Sequence, residues 1–582
     1  MVDSEGSQSM GDAAISIGGI VGLQQDGSSK QIRGYCMYDW AKSAFETSVT
    51  VAILPVWFTY LFLEANGLTA NLLGAEMSSD AVWAYSVAIA TLLVAMVSPS
   101  FGVIADRRRI KMKALKWLTW IGSVSVFLLA ITPLLSISFQ WMWIMIMFML
   151  ANIGLNGAGV FYNALLPHIG EDHEMDSISN KAYAYGYLGG GLLLIFHLGL
   201  VMGVSGDWVV PFCMASSGLW WFGFAWYTFA YVNEPMIENE LDELTLKEAS
   251  IIGVSEVLTT LKESKNFKTL FIYMIAYFLF IDGINSVTSL AGAFGVTTLG
   301  LTAIDLMITI VIIQFVAFPS AFFFTWLAER LTTKKALTFS LVLWCVMIVG
   351  AMGFAPLELS ESSEYDLHFE SIEGSESYTL STLNEEPFGS SDDDQAIQAV
   401  WQQLLDGGNV SAAEAESLVL SLSETRFSAW LNANVTMVGV DHPTNLGDGE
   451  FDAVPIWVRG NVWAPLGITI FFQWLILGCL AGILMGGSQG LARSLFSQMI
   501  PETRSAEFFG FFGFFGKVAA FMGPLLYGTL SIMFDSRVAI SSLAMLIIAG
   551  TIMMYWVDVD DGIAVANAED ERNRAKNADT TD

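Results

Sequence analysis

The sequence predicts an all-α polytopic membrane protein with twelve transmembrane helices in two six-helix halves and an extracytoplasmic insertion between helices 9 and 10. Three observations lead to this fold class. Of the 582 residues, 54% are hydrophobic and only 14% are charged, whereas soluble domains carry roughly 25% charged residues. Twelve apolar runs reach the roughly 20 residues that a spanning helix needs. One long stretch, residues 357–463, interrupts this pattern with many acidic residues.

The twelve runs are evenly divided around a polar linker. The predicted spans are 40–63, 82–104, 114–135, 141–166, 182–204, 208–232, 269–292, 304–327, 336–356, 464–490, 507–530 and 538–557. The resulting domains are a mobile cytoplasmic tail (1–33), an N-terminal half (34–232), a cytoplasmic linker (233–268), helices 7–9 (269–356), the insertion (357–463), helices 10–12 (464–558) and a cytoplasmic tail (559–582).

Basic residues in short loops predict the orientation, since such loops stay on the cytoplasmic side. Lys and Arg follow helices 2 and 8 in "ADRRRIKMKALK" and "AERLTTKKA", and further basic residues lie between helices 6 and 7 and between 10 and 11. All these loops fall on one side. We therefore expect an integral, multi-pass protein of the cell (plasma) membrane with both termini in the cytoplasm.

The insertion contains twenty Asp and Glu residues against only Arg426 and Arg459. Its segment 392–423 has apolar spacing suited to one or two short amphipathic helices. The stretch "FDAVPIWVRGNVW" at its end is expected to form a strand or hairpin. The sequence leaves open whether this part is a small, partly ordered external module or a disordered, solvated spacer.

The two halves share a loop motif, which indicates an internal repeat. "ADRRRIK" (105–111) aligns with "AERLTTK" (328–334), which pairs Asp106 with Glu329 and Arg107 with Arg330. An acid at this place can meet the positive N-terminus of a neighbouring helix and help to latch the two halves. The alternative is that the loops only set the topology.

Several stretches resemble a known family. "GVIADRRRIKMK" after helix 2 looks like the major facilitator superfamily, although the usual glycine in its basic loop is absent. "YDWAKSAFET", "YNALLPHI", "NKAYAYGYLGGGL", "YFLFIDGINSV" and "GGSQGLARSLFSQMIPETRSAEFFGFFGFFGKVAAFMGPLLYG" are similar to segments of the vacuolar amino-acid effluxers linked to autophagy and their prokaryotic relatives. Lys42 stands where that family usually has Asn, and the insertion is outside its pattern. The resemblance implies secondary transport, with amino-acid export as the best-known activity.

Asp282 lies about midway along an otherwise apolar span, in "FLFIDGINSV". A charge at bilayer depth costs at least about 2.5–3.5 kcal/mol, so such residues usually face the bundle interior or a cavity. Asn285 shares its face, three residues on. Asp282 is either a proton-coupling group or a neutral carboxyl bonded to another helix.

Other polar groups recur at helical spacing. Helix 1 carries Asp39, Lys42 and Glu46 as one stripe of alternating charge, and Lys517 lies deep in helix 11. Lys517 is either half of a structural ion pair or a partner for a substrate carboxylate. The predicted lining and coupling residues are Glu46, Asn156, Asn163, Asp282, Asn285, Gln489 and Lys517. The predicted gating residues are Asp39, Lys42, Asp106, Arg107, Glu329, Arg330 and Arg493.

In helix 4 the asparagines form one stripe that fits either a polar lining or interhelical hydrogen bonds. In helix 10, Ser488 and Gln489 lie among three glycines in "MGGSQGLARS", where the backbone either loosens or packs closely. The single histidine well inside a predicted span, His197, is expected to be a satisfied buried group.

These residues predict a secondary transporter that moves small amphipathic solutes, with amino-acid efflux favoured, by proton-coupled alternating access. The alternatives are a carrier for a drug or sugar, or a transporter-like receptor that uses the insertion. We expect no enzyme, cofactor or metal site, because the sequence lacks a phosphate-binding loop, a metal-ligand cluster and a nucleophile motif. The expected partners are a small solute, protons and the lipid bilayer, with no nucleic acid, and the expected state is a monomer.

Overall fold

The fold is taken from a computed structural model of the full chain. It describes residues 29–66, 69–72, 75–236, 262, 265–372, 377–382, 404, 408–425, 427–432, 434–447, 451–519 and 522–578. The predicted tail over 1–28, most of the linker, the acidic run 383–403 and residues 579–582 lie outside these ranges.

Within the described ranges, twelve helices are long and apolar enough to cross a membrane, which confirms the predicted fold class. We label them α1 to α12. Their bounds are α1 Ser29–Asn66, α2 Ser79–Arg107, α3 Lys111–Leu128, α4 Ile137–Ala164, α5 Met175–Gly203, α6 Val209–Tyr231, α7 Lys268–Leu299, α8 Ala303–Leu331, α9 Thr333–Gly350, α10 Ile470–Gln498, α11 Ser505–Val518 followed by Met522–Met533, and α12 Ser536–Met553.

Several predicted boundaries were wrong, those of the first and tenth spans among them. The first span, expected at 40, begins at Ser29, because the polar start of the helix is buried against neighbouring helices: Tyr35, Cys36 and Tyr38 are 0% exposed. The tenth span begins at Ile470 instead of 464 and continues to Gln498. Its glycine-rich part stays helical, so the backbone does not loosen at Ser488 and Gln489.

The first helix changes its winding partway along its length. Residues Ala44–Ile53 form a π-helix between two α-helical parts, Ser29–Ser43 and Leu54–Asn66. Such stretches are rare and occur frequently at functional sites. The π-helix begins two residues after Lys42 and contains Glu46, so the change of winding falls within the charged stripe of α1.

The two halves pack closely where α2 crosses α11. Gly102 and Gly510 supply the space: a Cβ on Gly102 would overlap the backbone oxygen of Ala506, and one on Gly510 would lie 2.7 Å from the Cα of Pro99. Small residues let membrane helices approach in this way. A β-hairpin, β1 (Thr69–Leu72) and β2 (Ala75–Ser78), joins α1 to α2.

The insertion contains a folded α/β unit. Its strands are β3 (Leu367–Ser371), β4 (Ser377–Thr382), β5 (Val410–Ser411), β6 (Ser428–Asn432) and β7 (Val435–Val438), in the sheet order β5-β4-β3-β6-β7. A helix, Ala412–Ser421, starts with a capping box between Ser411 and Glu414 and packs Leu418 and Val419 into the apolar core. The described part is therefore an ordered module and not a spacer.

Two further segments are helical. The expected strand or hairpin at 451–463 is wrong: Ala453–Val458 is α-helical, Arg459–Trp463 is a π-helical turn, and Ala464–Leu466 closes the segment. Its apolar residues lack the strict alternation with polar residues that a half-buried strand shows. The C-terminal tail forms a helix, Val559–Ala578, which we call the C-terminal helix.

Candidate functional site

The deepest charged cluster joins the two halves. The Arg493 guanidinium on α10 lies 3.3 Å from the Asp39 carboxylate on α1, and their side chains are 3% and 2% exposed. Arg493 also donates to the Asn163 amide oxygen (3.2 Å) and, through Nε and Nη2, to the Ser179 hydroxyl and carbonyl (2.9 Å each). A buried charge pair is tolerated when its remaining hydrogen-bonding capacity is satisfied, as it is at Arg493.

Tyrosines complete this cluster. Tyr162 donates from its hydroxyl to Asp39 Oδ2 at 2.9 Å. The Arg493 guanidinium lies 4.4 Å from the ring centre of Tyr183 and 5.6 Å from that of Tyr162, within the range of cation–π attraction. These aromatic rings surround the ion pair, so that water has little access to it.

The helix 1 stripe leads from this cluster towards open space. Lys42 lies between two acids, 3.3 Å from Asp39 Oδ1 and 2.8 Å from Glu46 Oε2. Side-chain exposure rises along the stripe from 2% at Asp39 to 16% at Lys42 and 41% at Glu46. Glu46 therefore borders space that water can reach, while Asp39 does not.

Lys517 of α11 faces this space from the other half. Lys517 is exposed, and its ammonium lies within electrostatic range of Glu46 and Lys42. An acid and an amine from different halves are thus both accessible and within electrostatic range of each other, an arrangement suited to a solute that carries both charges.

The remaining predicted lining residues other than Asp282 are half-buried. Asn156 is half-buried and its amide nitrogen donates to the Asn152 carbonyl and amide oxygens. Asn285 is half-buried, and Gln489 accepts a hydrogen bond from Tyr187 across the halves at 3.4 Å. Asn163 belongs to the Arg493 cluster.

Asp282 lies away from the accessible region. It is 0% exposed, and its Oδ1 accepts from the Gly523 backbone N–H (3.0 Å) and the Ser286 hydroxyl (3.1 Å). Gly523 is in the first turn of the second part of α11, where free N–H groups and the helix dipole favour an acid. The Gly523 hydrogen bond links α7 to α11 through Oδ1, while Oδ2 of Asp282 is buried without a hydrogen-bond partner among the described residues.

The first basic loop holds a helix N-terminus, as its motif predicted. Asp106 accepts from the backbone N–H groups of Ala506 (3.0 Å) and Glu507 (2.7 Å) at the start of α11. Its carboxylate is 2.8 Å from Lys111, which donates to Ser505 at 2.8 Å. This loop therefore joins the two halves at the end of the bundle that carries residues 105–111 and 328–334, which we call the basic-loop end. The neighbouring Arg107 is exposed.

A histidine adds a contact beside this loop. His168, after α4, lies 3.0 Å from Glu502 through Nδ1 and 3.1 Å from the Ser505 hydroxyl through Nε2. Both partners belong to the second half. The sequence contained this residue in "YNALLPHI", but its spacing gave no reason to expect a contact with residue 502.

The second copy of the loop is arranged differently. Glu329 and Arg330 are exposed, and the Arg330 guanidinium lies 5.4 Å from the ring centre of Trp326. At the equivalent helix start, on α5, Asp176 already accepts from the Thr333 hydroxyl at 2.6 Å. A second acid next to Asp176 would be repelled, which explains why the repeat forms one latch and not two.

The C-terminal helix extends the basic-loop end. Asp570 is 7% exposed and accepts from the Glu502 N–H (2.8 Å), the Thr503 N–H (3.0 Å) and the Thr503 hydroxyl (2.6 Å). Arg574 lies 3.0 Å from the Glu502 carboxylate. The helix thus orders the turn that contacts His168.

Among the described residues, the hydrogen bonds between the halves lie between the basic-loop end and the middle of the bundle. The outermost polar link is that of Tyr187 to the Met485 carbonyl at 3.1 Å. This distribution identifies the state as one that is closed at the basic-loop end. Among the described residues, no group of three or more His, Cys, Asp or Glu side chains is placed to hold a metal ion.

The closed end contains residues that sequence reasoning did not single out. Tyr162, Ser179 and Tyr183 surround Arg493, and Asp570 supports Glu502. Tyr162 and Tyr183 stood in the quoted motifs, but tyrosine in an apolar span is more often core than site. The π-helix could not be predicted, because an apolar repeat of 3.6 residues indicates a helix but does not distinguish a π-helix from an α-helix.

Known proteins share this sequence pattern and this fold. The profile of the family described as "Vacuole effluxer Atg22 like" matches residues 27–362 and 451–567, and thus skips most of the insertion. The chain is 24% identical over 548 residues to an uncharacterized MFS-type transporter, YxiO, of Bacillus subtilis, covering 93% of this chain and 98% of that protein. It is 28% identical over 111 residues to autophagy-related protein 22 of Kluyveromyces lactis, covering 19% of this chain and 23% of that protein.

Two solved structures show the same architecture at low sequence identity. The major facilitator superfamily transporter FucP, in its outward conformation, has a TM-score of 0.53 at 11% identity, with 92% of this chain and 100% of that chain covered. The proton:xylose symporter XylE has a TM-score of 0.52 at 11% identity, with 91% and 94% covered. These likenesses concern the fold.

Proposed function

Because this chain belongs to the Atg22-like vacuole effluxer family and has the major facilitator fold, we propose that it exports small amphipathic solutes, amino acids above all, by proton-coupled alternating access. It is an integral membrane transporter. What we propose is the class of solute, the direction of transport and the coupling to protons. The basic loops would face the cytoplasm of a cell bounded by this membrane, with both termini inside.

The observation that carries the proposal is a pair of accessible opposite charges that lie within electrostatic range of each other. Glu46 comes from the first half and Lys517 from the second. An amino acid has an ammonium and a carboxylate, and each would find its counter-charge on a different half. A ligand that contacts both halves can stabilise one arrangement of the halves over another through its differential affinity.

Lys42 supplies the link between the solute and the closed end. It contacts both Glu46 and Asp39, and Asp39 in turn pairs with Arg493. A substrate ammonium at Glu46 would compete with Lys42, which would then favour Asp39 and weaken the hold of Asp39 on Arg493. In this way occupancy of the site would promote separation of the halves.

We assign proton exchange to Glu46 in the first place. A coupling carboxyl must be reached by protons in at least one state, and the Glu46 side chain is 41% exposed while Asp282 is 0% exposed. Asp282 would then hold α11 to α7 and influence transport through the structure.

The test is efflux of preloaded radiolabelled leucine and tyrosine from proteoliposomes, with and without an imposed pH gradient. Wild type is compared with Glu46→Gln and Asp282→Asn, which preserve size and remove the titratable proton. We expect gradient-dependent efflux in the wild type. In Glu46→Gln we expect weaker exchange, because the solute ammonium loses its counter-charge, and no response of that exchange to the gradient.

Two results would contradict the proposal. Folded wild-type protein without flux above empty liposomes would exclude these amino acids and direct the search to sugars or drugs. A Glu46→Gln variant that keeps its gradient response, beside an Asp282→Asn variant that exchanges solute but loses the response, would return the coupling role to Asp282.

A further inference from the structure

The segment that connects the acidic module to α10 has an unusual surface. It runs from Phe451 to Leu466, is helical over most of its length, and ends at Gly467, whose φ of 62° allows a sharp turn into α10. We call it the collar segment. It is the part of the insertion whose residues were expected to form a strand or hairpin.

The collar segment exposes large apolar side chains. Trp457 is 63% exposed, Leu466 65%, and Phe451 and Val454 44% each. Between residues 453 and 469 the sequence contains a single charged residue, Arg459, although the preceding part of the insertion is strongly acidic. Contiguous exposed apolar surface of this kind marks a site of contact with protein or membrane.

The two charged residues of the segment, Asp452 and Arg459, contribute little to this surface, and Asp452 is only 9% exposed. The Arg459 guanidinium donates to the Thr444 carbonyl at 2.8 Å and lies 3.1 Å from the Glu358 carboxylate. Its side chain is 12% exposed. Arg459 therefore ties the collar segment to the module and leaves the outer face free of charge.

The segment is also fixed at the end of the helical bundle. Trp463 donates from its indole N–H to the Gly353 carbonyl at 2.8 Å, directly after α9. Beyond the turn at Gly467, α10 continues with Phe472 (55% exposed), Ile476 (43%) and Leu480 (43%) on its outer face. In a transmembrane helix, such a row faces lipid, so the exposed surface of the collar segment adjoins a lipid-facing surface.

We propose that the collar segment lies in the membrane interface, with Trp457 and Leu466 in the boundary between headgroups and hydrocarbon at the end opposite the basic loops. Tryptophan is enriched at this depth because its ring is amphipathic, and helices with one apolar face lie in the plane of the interface. The segment thus holds the acidic module against the bilayer. This proposal does not depend on the transported solute.

The test places a fluorescent NBD label on single introduced cysteines in the full-length protein, reconstituted in lipid nanodiscs. The probe variants are Trp457→Cys and Leu466→Cys. The control is Glu416→Cys, on the exposed acidic face of the module helix Ala412–Ser421. Of the native cysteines, Cys36 and Cys213 are buried and Cys345 and Cys479 are partly buried. Unsubstituted protein is labelled in parallel to measure the background from these residues.

We expect a blue-shifted emission at positions 457 and 466, and loss of most of it when lipids with a nitroxide near the headgroup are added. The label at 416 should keep a water-like emission and resist quenching. Gel filtration and thermal unfolding establish that each variant is folded, and the second probe position protects the test against failure of one variant.

Unquenched, water-like emission at both probe positions would overturn the proposal. Cross-linking of Trp457→Cys between two copies, together with absence of lipid quenching, would also overturn it and would identify a second copy of the chain as the partner of this surface.

Discussion

Arg493 of α10 and Asp39 of α1 form an ion pair across the boundary between the two halves, with Nη1 3.3 Å from Oδ2. Neither side chain is more than 3% exposed. In the proposed alternating-access cycle the halves separate here when the basic-loop end opens, and the pair then has to break.

Replacement of Arg493 by alanine should destabilise the protein by up to about 3–5 kcal/mol, because it leaves the buried Asp39 carboxylate with Lys42 as its one remaining cationic partner among those described. Thermal unfolding in detergent measures this loss, and hydrogen exchange should rise over the first turns of α5, where Ser179 loses its partner. Arg330→Ala is the matched control: its exposed guanidinium stacks on Trp326, and we expect a loss of about 0.5–1 kcal/mol. Equal losses in the two variants would show that the buried pair has no special role.

The two repeated loop acids should respond differently to the same change. Asp106→Asn removes the charge that faces two backbone N–H groups and the buried Lys111. We expect about 3–5 kcal/mol of destabilisation and faster hydrogen exchange at the start of α11. Glu329→Gln changes an exposed side chain and should stay within about 0.5 kcal/mol of wild type. Similar effects at both positions would mean that the latch is symmetric after all.

A methyl group added at Gly523 should disrupt the contact between α7 and α11. Its Cβ would overlap the Ser286 hydroxyl and lie 3.1 Å from Asp282 Oδ1, and such overpacking typically costs about 1–3 kcal/mol. Gly528 is in the same helical segment with no atom within 4 Å of an added Cβ. Gly528→Ala should therefore be neutral or slightly stabilising. Thermal unfolding of the two variants decides the matter, and an unaffected Gly523→Ala protein would disprove this packing.

The C-terminal helix should contribute to the closed end through one side chain. Asp570→Ala deprives the Glu502 and Thr503 N–H groups of their acceptor, which typically costs about 0.5–2 kcal/mol for a helix cap. We expect faster hydrogen exchange over residues 502–505. Glu571→Ala, an exposed acid beside it, removes the same charge from the same helix and should leave this exchange unchanged. An effect of equal size in both variants would indicate that the negative charge of the C-terminal helix matters, and not the hydrogen bonds that Asp570 accepts.

The module should lose stability at acid pH through Asp366. Burial raises the pKa of this carboxyl, but hydrogen bonds from His442 and from Ser428 outweigh that effect and hold the pKa below its ordinary value of 3.8. An acid with a lowered pKa stabilises the folded state above its unfolded pKa, and this contribution is lost as the pH falls through the folded pKa. We therefore expect acid-protease cleavage of the insertion to increase below about pH 4.

The control for this prediction separates Asp366 from the other acids of the module. Asp366→Asn should be more readily cleaved than wild type at pH 5 and should show less further change on acidification. Glu416→Gln, a change on the exposed face, should follow the wild-type profile. A wild-type profile in Asp366→Asn would contradict the prediction.

Local pattern predicted the helices and several contacts between near neighbours. Hydropathy located all twelve spans, and the three-and-four spacing placed Lys42 between Asp39 and Glu46, where it is found. The aligned loops predicted that Asp106 would meet a helix N-terminus. Each of these inferences depends on neighbours in the chain or on a repeat that the sequence displays.

Contacts between distant segments could not be predicted. Arg493 and Asp39 are separated by most of the chain, and nothing in a single sequence links the two. Glu329 matched Asp106 by position, but Asp176 of another helix occupies its expected partner site. The apolar span around Asp282 predicts that its carboxyl faces the bundle interior or a cavity. That the Gly523 N–H donates to this carboxyl follows from the packing of α7 on α11, which the sequence does not show.

The concentration of contacts between the halves at one end has a thermodynamic consequence. Without solute, the protein should populate the state closed at the basic-loop end almost exclusively. To reverse a 99:1 ratio of two conformations, a ligand must favour the minor one about 10⁴-fold, or by about 5.5 kcal/mol. Apparent solute affinity measured at the basic-loop side would then be weaker than the intrinsic affinity by the small fraction of molecules open there, and any variant that loosens Arg493 would appear to bind more tightly from that side.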